Sequence, residues 1–237
     1  MLEEKVEQYL TLCHNELLKR EAPLGYLKSR FVTDQDLKDF NFGFSPCHWD
    51  IQDEKFNMEF PEYKNRLPQK IVMPIKNFKG ETSGFTLRSF TGDKFYFKFL
   101  YKPHMNFHHL YGFYENLEAI LSYKKVMIVE SPFDVIALRP WVPFAVAVLS
   151  SKLTDLQAHF LKRYVNKVYL GFNNDFSDNF NAGKHATVKA QKLLKSCGLR
   201  NSIVTLPNKQ NDFSSFRGSF GDISDYLYSK IPTLQEI

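Results

Sequence analysis

The sequence is poor in cysteine and has neither a long apolar run, an internal repeat nor a low-complexity linker. Cys13, Cys47 and Cys197 are the only cysteines among 237 residues, an odd number with no Cys-x-x-Cys spacing. That argues against a disulfide framework and a zinc ribbon, and it suits a reducing compartment. Two Cys-His dipeptides, Cys13-His14 and Cys47-His48, do not change this, because ligands adjacent in sequence are not the usual tetrahedral arrangement. No structural zinc is expected. The opening Met-Leu-Glu-Glu-Lys is too charged for a secretory signal, and no apolar run approaches the roughly 20 residues of a membrane helix. The expectation is a soluble, cytoplasmic protein with no membrane partner.

A hydrophobic content of 43% is ordinary for a folded chain, and the length suits one large domain or two small ones. Aromatic residues are abundant, with 23 Phe and 12 Tyr, most of them core candidates and some able to offer stacking faces to bases. A net charge of +5 permits a polyanionic partner without demanding one.

Helical spacing of Leu2, Val6, Tyr9, Leu10, Cys13, Leu17 and Leu18 predicts an amphipathic helix over residues 2–20, broken at Ala22-Pro-Leu-Gly. Thr33-Asp-Gln-Asp36 reads as a capping-box variant opening a short helix through Phe40. Residues from Asn41 to Pro68 read as strand and loop. From Lys70 to Phe99, apolar runs separated by Asn77-Phe-Lys-Gly80 and Thr91-Gly-Asp93 predict an antiparallel meander. A short helix over Asn116–Tyr123 follows. Strands at Val126–Val129, Ala145–Leu149, Val168–Phe172 and Ile203–Leu206 then alternate with helices at Phe133–Leu138, Thr154–Tyr164 and Ala182–Ser196, and a last helix starts at Asp222. This alternation is an α/β doubly wound parallel sheet, preceded by a mixed α+β lobe. The boundary is expected near residue 123, giving domains 1–123 and 124–237.

Two of the apolar runs stop abruptly on polar residues. Val126–Val129 ends on Glu130, followed by Ser-Pro-Phe-Asp134, and Val168–Phe172 ends on Asn-Asn-Asp175. Buried parallel strands deliver polar groups in this way at their C-terminal edge, where open α/β sheets place their chemistry. Asp222 and Asp225, in Gly-Asp-Ile-Ser-Asp, follow the run Ile203–Leu206. Acidic groups at the ends of separate strands can converge, and oxygen-rich sites suit Mg²⁺ or Mn²⁺. Each carboxylate alone is better explained as a helix cap or a solvated loop residue; all of them together, in this order, favour a site. Lys70, Lys76, Arg88, Lys94, Lys98 and Lys102 punctuate the meander, either solvating one face or forming a groove for phosphates.

Glu-x-x-x-Asp after a strand, a second strand ending in Asn-Asn-Asp175, and Ala182-Gly183-Lys-His-Ala opening a helix resemble the Toprim domain of primases, topoisomerases and some nucleases. Upstream, Tyr26-Leu-Lys-Ser-Arg-Phe-Val-Thr33, Phe42-Gly-Phe-Ser-Pro46, Ile71–Ile75, Gly84-Phe-Thr-Leu-Arg88-Ser89 and Leu110-Tyr-Gly-Phe-Tyr-Glu115 are similar, in order, to blocks of the DnaG-type primase catalytic core. The resemblance runs from Tyr26 to Leu227. It implies a Toprim-like catalytic domain at 124–237 and a template- and nucleotide-binding lobe with a basic face at 1–123. The implied activity is synthesis of short RNA primers on single-stranded DNA from ribonucleoside triphosphates, with two or more Mg²⁺ or Mn²⁺ ions. Glu130 is then catalytic, as metal ligand or general base, and Asp175 is catalytic and a metal ligand. Asp222 joins them as a ligand, and Asp134 and Asp225 bind directly or tune the site. Lys70, Arg88 and one of Lys94 or Lys98 match the family's nucleotide- and template-binding positions. A replicative helicase or a zinc-module protein is the implied protein partner.

The sequence also departs from the family. Its Asp-x-Asp is Asn173-x-Asp175, which replaces an anionic ligand by a neutral carbonyl and should lower metal affinity. An extra Phe-Ser-Asp-Asn-Phe-Asn precedes Ala182, with Asp178 a candidate replacement charge. Ser131 stands where Gly is common. His104, His108 and His109 crowd a place usually held by Lys and Arg, which weakens phosphate contact near neutral pH. The family's zinc-binding and helicase-binding modules have no counterpart in the sequence, so a minimal catalytic core is expected. Divergence on this scale is familiar in bacteriophage versions of replication enzymes. Two other classes stay open. A Toprim nuclease would share Glu130 and Asp175 but not the block from Lys70 to Glu115, and a noncatalytic replisome accessory protein that binds nucleic acid is motivated by Asn173.

Overall fold

The computed structural model describes residues 2–45, 69–91, 96–100, 109–150, 152–174, 176–177, 180–207 and 210–232. Two compact units divide the chain, residues 1–76 with 81–106 and residues 77–80 with 107–237.

In the first unit, α1 (Leu2–Leu17) buries Val6, Tyr9, Leu10, Cys13 and Leu17, as its apolar spacing requires. Ala22-Pro-Leu-Gly ends that helix but also opens another, α2 (Glu21–Ser29). Pro23 lies in the first turn, where the N–H it lacks has no helical partner to lose. α3 (Asp34–Asp39) has the expected capping box: Asp36 N–H donates to Thr33 Oγ1 at 3.1 Å, and Thr33 N–H donates to Asp36 Oδ2 at 2.9 Å. β1 (Gly43–Ser45), β2 (Lys70–Lys76), β3 (Thr82–Arg88) and β4 (Tyr96–Leu100) form the expected antiparallel sheet, in the order β1-β2-β3-β4. Gly43 lets β1 lie directly on α1, since a Cβ there would come within 2.7 Å of Cys13 Cβ.

Sheet register decides which way the basic residues face. Arg88 pairs with Ile71 and Tyr96, and Thr86 pairs with Lys98, so Arg88 and Lys98 share one face. Lys70 precedes Ile71 by one residue and takes the opposite parity. Lys70 therefore lies on the sheet face opposite that of Arg88 and Lys98. Lys94, and the stretch 46–68 with Cys47 and His48, lie outside the described residues.

In the second unit the elements are α4 (Leu117–Tyr123), β5 (Lys125–Val129), α5 (Pro132–Leu138), β6 (Ala145–Ala147), α6 (Asp155–Leu161), β7 (Lys167–Leu170), β8 (Phe176–Ser177), β9 (Phe180–Asn181), α7 (Ala182–Ser196), β10 (Arg200–Ile203), α8 (Phe213–Phe220) and α9 (Ser224–Lys230). Four of the strands form a parallel sheet in the order β10-β7-β5-β6. Val126–Val129 and Ala145–Ala147 are wholly buried, which explains their near-continuous apolar runs. Phe78, Phe113, Phe160 and Tyr164 form an aromatic cluster with ring centroids 4.8–6.0 Å apart. No helix among the described residues is long and apolar enough to cross a membrane.

Four features differ from the sequence expectation. Residues 109–123, placed there in the first lobe, are bonded into the second unit. Tyr111 N–H donates to Ala147 O at 2.9 Å, Gln157 Nε2 to His109 O at 2.9 Å, and Asn116 Nδ2 to Ala145 O at 2.8 Å. β10 starts at Arg200 instead of Ile203, because an edge strand tolerates the half-exposed Arg-Asn-Ser and hydrophobicity marks only its end. α8 was not expected at all. The extra Phe-Ser-Asp-Asn-Phe-Asn is built around the β8–β9 hairpin, which runs directly into α7.

Burial pushes the Cys13 thiol far above its usual value, and Tyr9 beside it is raised for the same reason. Native Cys13 is expected to resist alkylation at pH 8 and to react freely in urea; rapid native labelling would contradict its burial. The sign also predicts alkaline destabilisation. The contribution is fully present below the unfolded thiol's pKa of about 8.5 and declines as pH rises toward the folded value. The fall in urea midpoint between pH 7 and pH 10 should be smaller in Cys13→Ala than in wild type.

Candidate metal centre at the end of the parallel sheet

Glu130 leaves β5 at its C-terminal end, half-buried, beside the end of β7. β7 continues past Leu170, with Gly171 N–H donating to Ile128 O at 2.9 Å, and then presents Asn173 N–H to Glu130 Oε1 at 3.0 Å. The two polar strand ends anticipated from the sequence thus meet, and this bond fixes the orientation of the Glu130 carboxylate. Among the described residues the side-chain oxygen of Asn173, Oδ1, is buried without a hydrogen-bond partner. A buried carbonyl oxygen left without a donor costs about 1–3 kcal/mol, a cost that a cation would relieve.

Gly183 is required at the start of α7. A Cβ there would sit 1.7 Å from the main-chain oxygen of Asn173, so only glycine lets the helix approach the strand end this closely. The Ala-Gly pair singled out in the sequence is therefore a close-packing device next to the site. Gly171 does a similar service, since its Cβ would strike Met127 at 2.6 Å and the Phe213 ring at 2.8 Å.

Asp134 occupies a different environment from Glu130. It is completely buried, and its carboxylate accepts the Ser214 N–H at 3.0 Å and the Ser131 hydroxyl at 2.8 Å. Ser131 in turn N-caps α5, accepting the Asp134 N–H at 3.3 Å. Ser131 is thus a partner of the buried carboxylate. Asp134 ties α5 to the first turn of α8.

α8 also brings a segment that sequence reasoning missed. Asn174 N–H donates to Asn211 O at 2.7 Å, which sets the Asn211–Asp212 turn against the end of β7. Asp212 caps α8, accepting the Ser215 N–H at 2.6 Å. The Asp212-x-x-Ser215 pair was a readable capping signal, obscured because the following Phe-Ser-Ser-Phe-Arg-Gly lacks strong helix formers.

Asp222 and Asp225 lie a whole helix beyond this turn. Both are exposed, and the Ser224 N–H donates to Asp222 Oδ1 at 2.8 Å and holds its carboxyl below the usual range. Among the described residues, no three His, Cys, Asp or Glu side chains gather in a metal-holding group. The structure therefore joins Glu130 to Asn173 and Asp134 to α8, and it does not join Asp222 or Asp225 to them in such a group. Asp175 and Asp178 lie outside the described residues.

Residues 127–216 match the family model described as Toprim-like. The chain is similar over 93% of its length, at 24% identity, to a DNA primase of Staphylococcus aureus, and over 82%, at 27% identity, to that of Halalkalibacterium halodurans. It spans 39% and 36% of those two proteins. The zinc-binding and RNA polymerase domains of the Aquifex aeolicus primase superpose on 98% of the chain with TM-score 0.80 and 25% identity, the chain covering 60% of that structure. The E. coli primase catalytic core gives TM-score 0.81 at 20% identity, over 98% of this chain and 80% of that one.

The second unit is accordingly a Toprim-like domain, a class that implies use of a divalent metal. As a whole, the chain is similar to the catalytic core of DnaG-type primases. The site fits such an ion, because its donors are hard oxygens and one of them is buried without a partner.

Two substitutions test this construction. Asp134→Ala is expected to destabilise by about 3 kcal/mol, stranding the buried Ser214 N–H. Asp134→Asn, which keeps an acceptor, is expected to cost less. Equal and small losses in urea unfolding would contradict the positioning role. Gly183→Ala is expected to destabilise by a comparable ~3 kcal/mol, because the Asn173 main chain or α7 must move; a loss within ~0.5 kcal/mol would contradict the close approach.

Proposed function

We propose that this chain is the catalytic core of a DNA primase, a DNA-directed RNA polymerase that joins ribonucleoside triphosphates into short primers on a single-stranded DNA template. The observation that carries the reading is the meeting of Glu130 with Asn173 at the C-terminal ends of adjacent parallel strands. It is supported by similarity to primase cores over almost the whole chain. A DnaG catalytic domain that superposes on 98% of this chain with TM-score 0.80 was solved bound to single-stranded DNA.

In this reading Glu130 and the Asn173 side-chain oxygen would hold Mg²⁺ or Mn²⁺, together with Asp175, two residues further along the sequence. The ion, when bound, supplies charge stabilisation to the attacking and leaving oxygens of the nucleotidyl transfer. The chain's own residues orient and position. Asn173 N–H fixes one oxygen of Glu130, so that the carboxylate stands ready to receive the proton of the primer 3′-hydroxyl or to bind cation. Asp134 holds α5 and α8 in place beneath it. In the first unit, Arg88 and Lys98 on one sheet face, Lys70 on the other, and Lys94 neutralise phosphates of template and incoming nucleotide. The neutral Asn173 supplies one charge fewer than aspartate would, which weakens metal affinity and favours assays in Mn²⁺ or at raised Mg²⁺. A replicative helicase or zinc-module protein is the natural source of template selection.

Primer synthesis on single-stranded DNA with labelled ribonucleotides, in Mg²⁺ and in Mn²⁺, tests the proposal. Wild type is expected to give short labelled products, and Glu130→Gln and Asp175→Asn to lower the yield at least about 100-fold. No product in either metal, even with a helicase or zinc-module protein added, would overturn it. Shortened template in those lanes would indicate a nuclease, and intact but retarded template a binding protein.

A further inference from the structure

The edge of the parallel sheet remote from Glu130 carries an arrangement that primer synthesis does not account for. β5, β7 and β10 begin on Lys125, Lys167 and Arg200, and the register pairs Arg200 with Lys167 and Lys167 with Lys125. Three cations therefore stand side by side across the N-terminal ends of neighbouring strands. Strand spacing makes the row about 10 Å long. Like charges directly opposite one another destabilise a sheet, so such a row persists at a cost unless an anion answers it. Among the described residues, none of these three forms an ion pair with a carboxylate. Lys167 is held only by its ammonium lying 4.7 Å from the centre of the Tyr169 ring.

The row opens into a concavity. A pocket of about 520 Å³ is lined by Lys167, Lys195, Gly198, Arg200, Asn201 and Ser202. Gly198, at φ +75°, turns the chain sharply out of α7 into β10, which brings Lys195 from the last turn of the helix over the strand starts. Lys162 Nζ approaches from α6, 3.8 Å from where a Cβ on Gly198 would stand. Four cationic residues thus border one hollow, with the Ser202 hydroxyl as a further donor.

We propose that this hollow is a second phosphate-binding site, distinct from the strand-end centre, that takes the phosphates of a nucleic-acid backbone or of a free nucleotide. Arg200 offers a planar fork to two phosphate oxygens, and Lys167, Lys195 and Lys162 offer point charges around it. The concavity and the register-enforced row distinguish it from scattered, individually solvated lysines. Binding here requires no metal. Its position at the opposite edge lets it engage a strand or nucleotide without competing for the site of synthesis.

The test compares full-length wild type with Lys167→Gln/Lys195→Gln/Arg200→Gln, and with a control of equal charge, Lys28→Gln/Lys189→Gln/Lys192→Gln. All measurements are made in EDTA, so that failure of the primase reading leaves the result unaffected. One arm titrates a fluorescent oligothymidylate by anisotropy at several salt concentrations; the other titrates inorganic pyrophosphate and ATP by calorimetry. For a backbone ligand, the pocket variant is expected to bind the oligonucleotide at least about tenfold more weakly than the control. Its dependence of log K on log salt is expected to be shallower by about 2, near 0.7 for each lost contact. For a nucleotide ligand, the loss appears in the calorimetric arm alone. Either result supports the site. Pocket variant and control that match each other in both arms would overturn it. Removing mutually repelling charges is expected to leave the melting temperature unchanged or raised. Should the triple variant not fold, Lys195→Gln/Arg200→Gln, which alters only exposed side chains, carries the same comparison.

Discussion

The buried carboxylate of Asp134 is the constraint on which the strand-end site depends. A charge or a proton donor at zero exposure is tolerated only when its surroundings answer it, and here the Ser131 hydroxyl and the Ser214 main chain do so. Those two contacts fix the start of α5 immediately after Glu130 and dock the first turn of α8 onto it. With α8 held, Asn211 is placed to accept the Asn174 N–H, and the segment after β7 is fixed at both Asn173 and Asn174. Arg217 reinforces the docking, donating to Ala137 O at 3.0 Å and stacking its guanidinium 5.0 Å from the Trp141 ring centre. The half-buried Glu130 thus leads directly into a helix start fixed by the wholly buried Asp134, four residues on.

Much of this was legible in the residues. Runs such as Val126–Val129 can only be buried strands, and their abrupt polar ends located Glu130 and Asn173. The Thr33 and Thr154 capping boxes and α7 also follow from local signals. What was not legible depended on partners distant in sequence. Asp134 and Glu130 look alike in a strand-end motif, and only the arrival of Ser214, 80 residues on, separates the wholly buried carboxylate from the half-buried one. α8 was hidden by weak helix propensity and is stabilised by what it packs against. Asp222 and Asp225 follow this helix, which intervenes between them and the run Ile203–Leu206. The parity that separates Lys70 from Arg88 and Lys98 is likewise a property of pairing, invisible in spacing alone.

The main chain at Asn173 is clamped by Glu130 on one side and by the approach of Gly183 on the other. Asn173 contributes a neutral side chain to this strand end, where an aspartate would add a negative charge. The antiparallel pair β8–β9 follows, and β9 enters α7 directly.

The central claim, that the ends of β5 and β7 together hold a divalent ion, is tested most directly by Mn²⁺ binding followed by electron paramagnetic resonance. The account predicts saturable binding to wild type, tighter by at least tenfold in Asn173→Asp because an anionic oxygen replaces a neutral one, and weaker by at least tenfold in Glu130→Gln. Equal Mn²⁺ affinity in all three proteins, with each still folded, would contradict it.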